Sequence, residues 1–199
     1  ITHIENVAWI LENGLHCRNS GIRDPNYREI GNPDLISKRA HREVPIPPGG
    51  TLSDYIPFYF TPFSPMMLNI KTGYSGMKQT PMPDIVIFAS SLHTVAEQGL
   101  GYVFTDRHAY LSAAQFSSDL DDLDRIDWNI LEARDFKRDA NDPGKVERYQ
   151  AEALVHRHMP VAALTGIVCH GAAQEARLQQ LVQNNGLKLT IAVRPGWYF

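Results

Sequence analysis

The amino-acid sequence predicts an α+β fold, and three observations carry that reading. Strand-like and helix-like segments interleave without the regular strand–helix–strand alternation of a doubly wound sheet. Neither GxGxxG nor GxxxxGK[ST] occurs, so the dinucleotide-binding and P-loop folds find no support. The 199 residues, 43% hydrophobic and 21% charged, suit one domain over 1–199 with a well-filled core.

Residues 4–14, IENVAWILENG, set Val7, Ile10 and Leu11 at helical spacing, with Gly14 as the stop. Residues 16–31 are polar and turn-rich. Asn32-Pro33-Asp34 reads as a helix start: a cap, a proline at the first helical position, then an acid. That helix carries Leu35, Ile36 and Arg39. VPIPPGG, 44–50, predicts a rigid surface loop. DYIPFYF, 54–60, predicts a buried strand in which Pro57 demands an edge position or a bulge. A strand at 84–90, a helix to Gly99, a strand at 102–106 and a helix over 108–120 follow. Residues 126–134 predict a short amphipathic helix and 135–145 a charged loop. The C-terminal part predicts strands at 151–156, 165–170 and 188–194, with a helix over 172–184.

Composition narrows the function classes. The net charge of −3 argues against a protein that grips nucleic acid mainly through phosphates, so any such contact is local and reads bases. No apolar run reaches eighteen residues, and no membrane span is expected. Cys17 and Cys169 match neither a disulfide framework nor a zinc pattern, and a reducing, cytoplasmic setting is expected. The chain starts at Ile1 with no signal-like segment, which suggests a short trimmed piece before it.

Glu152 opens a strand-like run directly after a charged stretch. It is either a solvent-facing strand end or a carboxylate at a cleft, acting as general base or as an anchor for positive charge. TDRHAY, 105–110, puts Asp106, Arg107 and His108 at the end of a strand, where side chains often line a site. Arg39 and Arg42 form either a solvated helix face or a bidentate hold on a pyrophosphate. His156, His158 and His170 lack the companions of a metal site, and no metal is expected. The aromatic cluster Tyr55, Phe58, Tyr59, Phe60 and Phe63 reads first as core, with room for one or two rings to face a flat ligand.

Several blocks, taken in order, resemble the DarT family of DNA ADP-ribosyltransferase toxins. They are ITHIENVAWILENGL, LISKRAHREVPIPPGGTLSDYIPFYFTPFSPMM, YVFTDRHAYL, RYQAEALV and the terminal WYF. The resemblance implies an ADP-ribosyltransferase-like, mixed split-sheet fold with surrounding helices. It implies transfer of ADP-ribose from NAD to a nucleobase of single-stranded DNA, thymine first and guanine second, by a monomer countered by a macrodomain antitoxin. It makes Glu152, in QAE, the catalytic glutamate and Arg39 the catalytic arginine, with Arg42 as second choice. Thr2, His3, Arg39 and His108 fall to the NAD side. His108, Arg42, Arg148 and Tyr149 fall to the substrate side. Phe63 stands where the family carries arginine, which alters a local charge. The family's histidine before this IT has no counterpart in the chain. The alternatives are an enzyme of the same fold acting on RNA or protein, and a non-catalytic nucleotide-binding module.

Overall fold

The computed structural model describes residues 1–199, the side chain of Ser75 excepted. In chain order the strands are β1 (Thr2–His3), β2 (Leu15–His16), β3 (Tyr55–Tyr59), β4 (Ile85–Ala89), β5 (Tyr102–Thr105), β6 (Phe116–Ser117), β7 (Glu152–His156), β8 (His158–Met159), β9 (Gly166–Cys169) and β10 (Thr190–Val193). The helices are α1 (Val7–Asn13), α2 (Pro33–Arg39), α3 (Pro65–Thr72), α4 (Leu92–Glu97), α5 (Trp128–Glu132), α6 (Lys145–Arg148) and α7 (Ala172–Asn184).

The strands form two four-stranded sheets and a small ribbon. One sheet runs β1-β4-β9-β10, the other β3-β7-β5-β6, and β2 pairs with β8. Among the described residues only β9 and β10 run parallel, joined by α7 as the crossover. This is the split-sheet α+β architecture that the sequence predicts.

The main core lies between the sheets. Val86, Phe88, Ile167 and Cys169 of the first sheet meet Ile56 and Val155 of the second, and α1 and α7 close the same cluster. Strand periodicity then sends Leu154 to the opposite face of the second sheet, where it packs with Tyr55, Val103, Val44 and Ala109. Glu152, two residues before Leu154, shares that opposite face. Pro57 sits on β3, an edge strand, where its missing N–H breaks no ladder.

Capping marks the helix that bears Arg39. Asn32 Oδ1 accepts from the N–H of Asp34 (2.9 Å) and of Leu35 (3.1 Å), with Pro33 at the first position. The 44–50 loop then returns the chain to Thr51, closed by the Val44 N–H on the Gly50 carbonyl. Gly50 has φ +81, and a Cβ there would meet Asp54 Oδ2 at 2.8 Å, so glycine is required.

One expectation fails and one helix was missed. Residues 108–120 are not helical: the segment is a run of turns leading to β6 and a short 3-10 stretch, Leu120–Arg125. Its backbone is taken elsewhere. Arg42 binds the carbonyls of Ala109 and Leu111, the Ala109 N–H goes to Glu152, and Asp106 Oδ1 takes the Gln115 N–H. Helix α3 was not anticipated, although Ser64 caps it, Pro65 starts it and Gly73 ends it at φ +71.

Candidate active site

Glu152 is the first residue of β7, which lies between β3 and β5 and so inside its sheet. Across the register it faces Tyr59. Its own N–H donates to Thr105 Oγ1 at 3.3 Å, which ties the strand start to the 105–109 turn. The residue is 3% exposed.

Three groups converge on the carboxylate. Arg39 Nη1 reaches Oε2 at 2.8 Å. His108 Nδ1 lies 3.1 Å from Oε1, and the Ala109 N–H donates to the same oxygen at 3.1 Å. Burial pushes the carboxyl upward, but the Arg39 charge and the His108 contact outweigh it and hold the group at about 2. Glu152 is therefore ionised at neutral pH. The Tyr110 N–H also donates to His108 Nδ1, at 3.3 Å, so the ring nitrogen sits between that amide and Oε1. Beside them, burial and the Glu152 charge raise the Tyr59 hydroxyl above its ordinary range.

Arg39 has more to give. Its Nη2 is buried and has no partner among the described residues. A buried guanidinium N–H without an acceptor is costly. It marks a place where an anionic or carbonyl oxygen fits.

The other sequence-predicted residues take different positions. Arg42 does not meet the carboxylate; its Nη2 donates to the Leu111 carbonyl at 3.0 Å and its Nε to that of Ala109 at 3.5 Å, so it holds the turn behind His108. Arg148 grips Asp142 with two nitrogens, at 3.1 and 2.7 Å, and Asp127 with its Nε at 3.0 Å. Tyr149 is fully buried and donates its hydroxyl to the Phe63 carbonyl at 2.9 Å. Thr2 Oγ1 accepts from Asn6 Nδ2 at 2.9 Å, and His3 Nδ1 accepts the Glu5 N–H at 3.1 Å. His156, His158 and His170 each pack on a separate ring: Tyr55, His16 and Tyr198. Among the described residues no group of three His, Cys, Asp or Glu could hold a metal ion.

A cavity of about 450 Å³ opens on the face of the second sheet that carries Ala153 and Val155, and Glu152, Arg39 and His108 are not among its lining residues. It is largely apolar, walled by Phe58, Phe88, Val155, Trp128 and Trp197, and it touches the immediate neighbours of Glu152 through Tyr59 and Ala153. Ile1, next to Thr2, lines it from the side of β1.

Sequence reasoning missed Asn6, which is fully buried and clamps the 16–31 loop: its Nδ2 donates to the Arg28 carbonyl (3.0 Å) and its Oδ1 accepts the Arg28 N–H (2.8 Å). A polar residue among the apolar positions of a helical stretch was the signal available.

The model of one family, described as "DarT: ssDNA thymidine ADP-ribosyltransferase, DarT", matches residues 1–199. The chain belongs to the DarT family. A "DNA ADP-ribosyl transferase" of Escherichia coli O127:H6 (strain E2348/69 / EPEC) is 50% identical over 199 residues, covering 100% of this chain and 91% of that relative. One from Thermus sp. (strain 2.9) is 34% identical over 202 residues, covering 100% and 94%. The solved structure of Thermus sp. 2.9 DarT in complex with ADP-ribosylated ssDNA matches at a TM-score of 0.91 and 32% identity, covering 100% of this chain and 93% of that one. The same DarT in complex with NAD+ matches at 0.84 and 32%, covering 100% and 94%. The resemblance read from the sequence blocks is thereby shown, and the split-sheet fold is that of DarT.

Proposed function

We propose that this chain transfers ADP-ribose from NAD to thymine in single-stranded DNA, and that residues 1–199 are one ADP-ribosyltransferase domain. The observation that carries the reading is Arg39: one nitrogen holds the catalytic carboxylate while the other, buried, has no partner among the described residues. NAD fits that site, because its phosphates and amide offer the oxygens that such a donor lacks. Family membership and the likeness to DarT structures holding NAD+ and ADP-ribosylated ssDNA support the same reading.

When bound, NAD supplies the ADP-ribosyl group, and loss of nicotinamide develops positive charge on the ribose. Glu152 is the fixed anion that stabilises such charge, ionised in advance and carried on a rigid strand. The thymine must also lose a proton. A carboxyl near 2 is a weak base, so Glu152 takes that proton only once Arg39 has turned toward a ligand. His108 packs its Nδ1 against Oε1 and stands on the side of the substrates. Arg42 and Thr105 fix the turn that brings His108 and Ala109 to the carboxylate. Thr2 and His3 hold β1 beside the cavity on the NAD side. Arg148 and Tyr149 serve the substrate side by bracing the charged loop and the 60–63 segment. The acceptor is single-stranded because a paired base would first have to be unstacked.

The chain acts as a monomer: Glu152, Arg39 and His108 all come from one polypeptide. As a DarT toxin it has a macrodomain antitoxin as partner and works in the cytoplasm, where its two free, buried cysteines stay reduced. No helix is long and apolar enough to cross a membrane among the described residues.

The test is mass spectrometry of short oligonucleotides after incubation with NAD, one set lacking thymine and one lacking guanine, with Glu152→Ala in parallel. One ADP-ribose on thymine-containing strands only, and none with the variant, is the expected result. Adducts on RNA or protein alone would overturn the DNA reading, and retained transfer by the variant would remove Glu152 from its role.

A further inference from the structure

We infer that Arg134, its guanidinium laid over the ring of Phe63, is a contact for single-stranded DNA at the rim of the cavity, where it receives a nucleotide next to the acceptor base. The inference rests on the function proposed above.

Arg134 follows Ala133, the C-cap of α5, and has φ +54. Its N–H donates to the Leu131 carbonyl at 3.2 Å and the next N–H, of Asp135, to that of Ile130 at 3.1 Å. This is the left-handed helix end where glycine is the ordinary choice. Any side chain there costs backbone energy that glycine would not. Strain of this kind is kept where the side chain has work to do.

The side chain is held in place without an ion pair among the described residues. Its carbon Cζ lies 4.7 Å from the centre of the Phe63 ring, and Nη1 donates to the Gly196 carbonyl at 3.0 Å. Arg125, Lys145 and Arg148, on neighbouring elements, each hold an aspartate. Arg134 makes no such pair among the described residues, and it is exposed. The platform beneath it is firm: Phe63 stacks on Phe199 at 3.8 Å and packs on Phe136 at 6.3 Å, and its carbonyl accepts the Tyr149 hydroxyl.

Position connects the pair to the site. Pro62 and Ser64, on either side of Phe63, line the cavity, as does Trp197 beside Gly196. Tyr149 lies three residues before Glu152 in the chain, and Phe63 follows Tyr59, which faces Glu152 across the ladder. A guanidinium backed by an aromatic ring offers one free face for a base and an edge of N–H donors for a phosphodiester. A single strand exposes both. In a chain of net charge −3, one well-held cation is the kind of local grip that suffices.

The decisive variant is Arg134→Gly, which removes the guanidinium and relieves the backbone, so its melting temperature should equal or exceed wild type. Fluorescence anisotropy with a thymine-containing oligonucleotide should show binding weakened roughly tenfold, the loss of one stacking contact. The slope of log affinity against log salt should become shallower by about 0.7, one phosphate contact on a single strand. Arg134→Lys should fall between the two, keeping the charge and losing the flat face. NAD affinity should be unchanged. Unaltered oligonucleotide affinity in a folded Arg134→Gly protein overturns the inference, and so does a loss confined to NAD binding. If wild type itself neither binds nor modifies single-stranded DNA, the function beneath the inference is what fails.

Discussion

Arg39 and Glu152 lie 113 residues apart in sequence and meet at 2.8 Å, both almost wholly buried. The contact joins the last turn of a seven-residue helix to the first residue of an inner strand. Buried ion pairs of this kind are strongly destabilised by loss of one partner and only weakly by loss of both.

A double-mutant cycle should show that asymmetry. Glu152→Leu leaves the Arg39 cation buried without its carboxylate and should cost about 3–5 kcal/mol of stability. Arg39→Met with Glu152→Leu should recover most of that loss in urea unfolding, while transfer stays abolished. Strictly additive losses would mean that the pair is not coupled as the geometry states.

Acid should weaken the fold through the same carboxylate. Its folded value of about 2 lies below the ordinary 4.5, so Glu152 stabilises the fold above pH 4.5 and loses that contribution as pH falls toward 2. The shift corresponds to about 3 kcal/mol. Unfolding free energies measured from pH 7 to pH 3 should fall more steeply for wild type than for Glu152→Gln. Parallel curves would contradict the depressed value.

Asn6→Ala removes three hydrogen bonds that tie the 16–31 loop to β1 and leaves buried partners unsatisfied. A stability loss of about 2–3 kcal/mol should follow. NAD affinity should fall with it, since β1 borders the cavity. A lowered melting temperature with unchanged NAD binding, read by calorimetry, would confine Asn6 to the fold.

Arg42→Ala frees the carbonyls of Ala109 and Leu111 and loosens the turn that carries His108. Misplacement of a catalytic group by an ångström is costly, so kcat should drop about 10- to 100-fold with little change in the KM for NAD. Lysine cannot span two carbonyls with a planar fork, and Arg42→Lys should not rescue. Full activity of the lysine variant would reduce Arg42 to a charge.

Two helices were legible, one from its cap and proline and one from its length, whereas α3 was missed despite Ser64 and Pro65 at its start. Residues 172–184 and the Asn32-Pro33 start stand where the sequence puts them. The 108–120 segment has helical spacing, yet Arg42, Asp106 and Glu152 claim its backbone from distant positions, which no local pattern reveals. The same limit applies to the site. Glu152 is conspicuous as a carboxylate opening an apolar strand, and the family blocks point to Arg39. Their pairing, the Ala109 N–H and the pinning role of Arg42 exist only once the chain has folded, because a backbone donor has no residue type and an arginine's partner is not written beside it.

The two halves of the Arg39–Glu152 pair belong to parts of the molecule with different lifetimes. Residues 153–155, which follow Glu152, are flanked by strands on both sides, and amides so placed exchange with solvent mainly when the whole domain opens. Helix α2 is too short to persist without its tertiary contacts, and it is expected to open more often. On warming, the guanidinium therefore leaves before the carboxylate does. Activity should fade reversibly some degrees below the unfolding transition, with deuterium entering 33–39 while 153–155 remains protected.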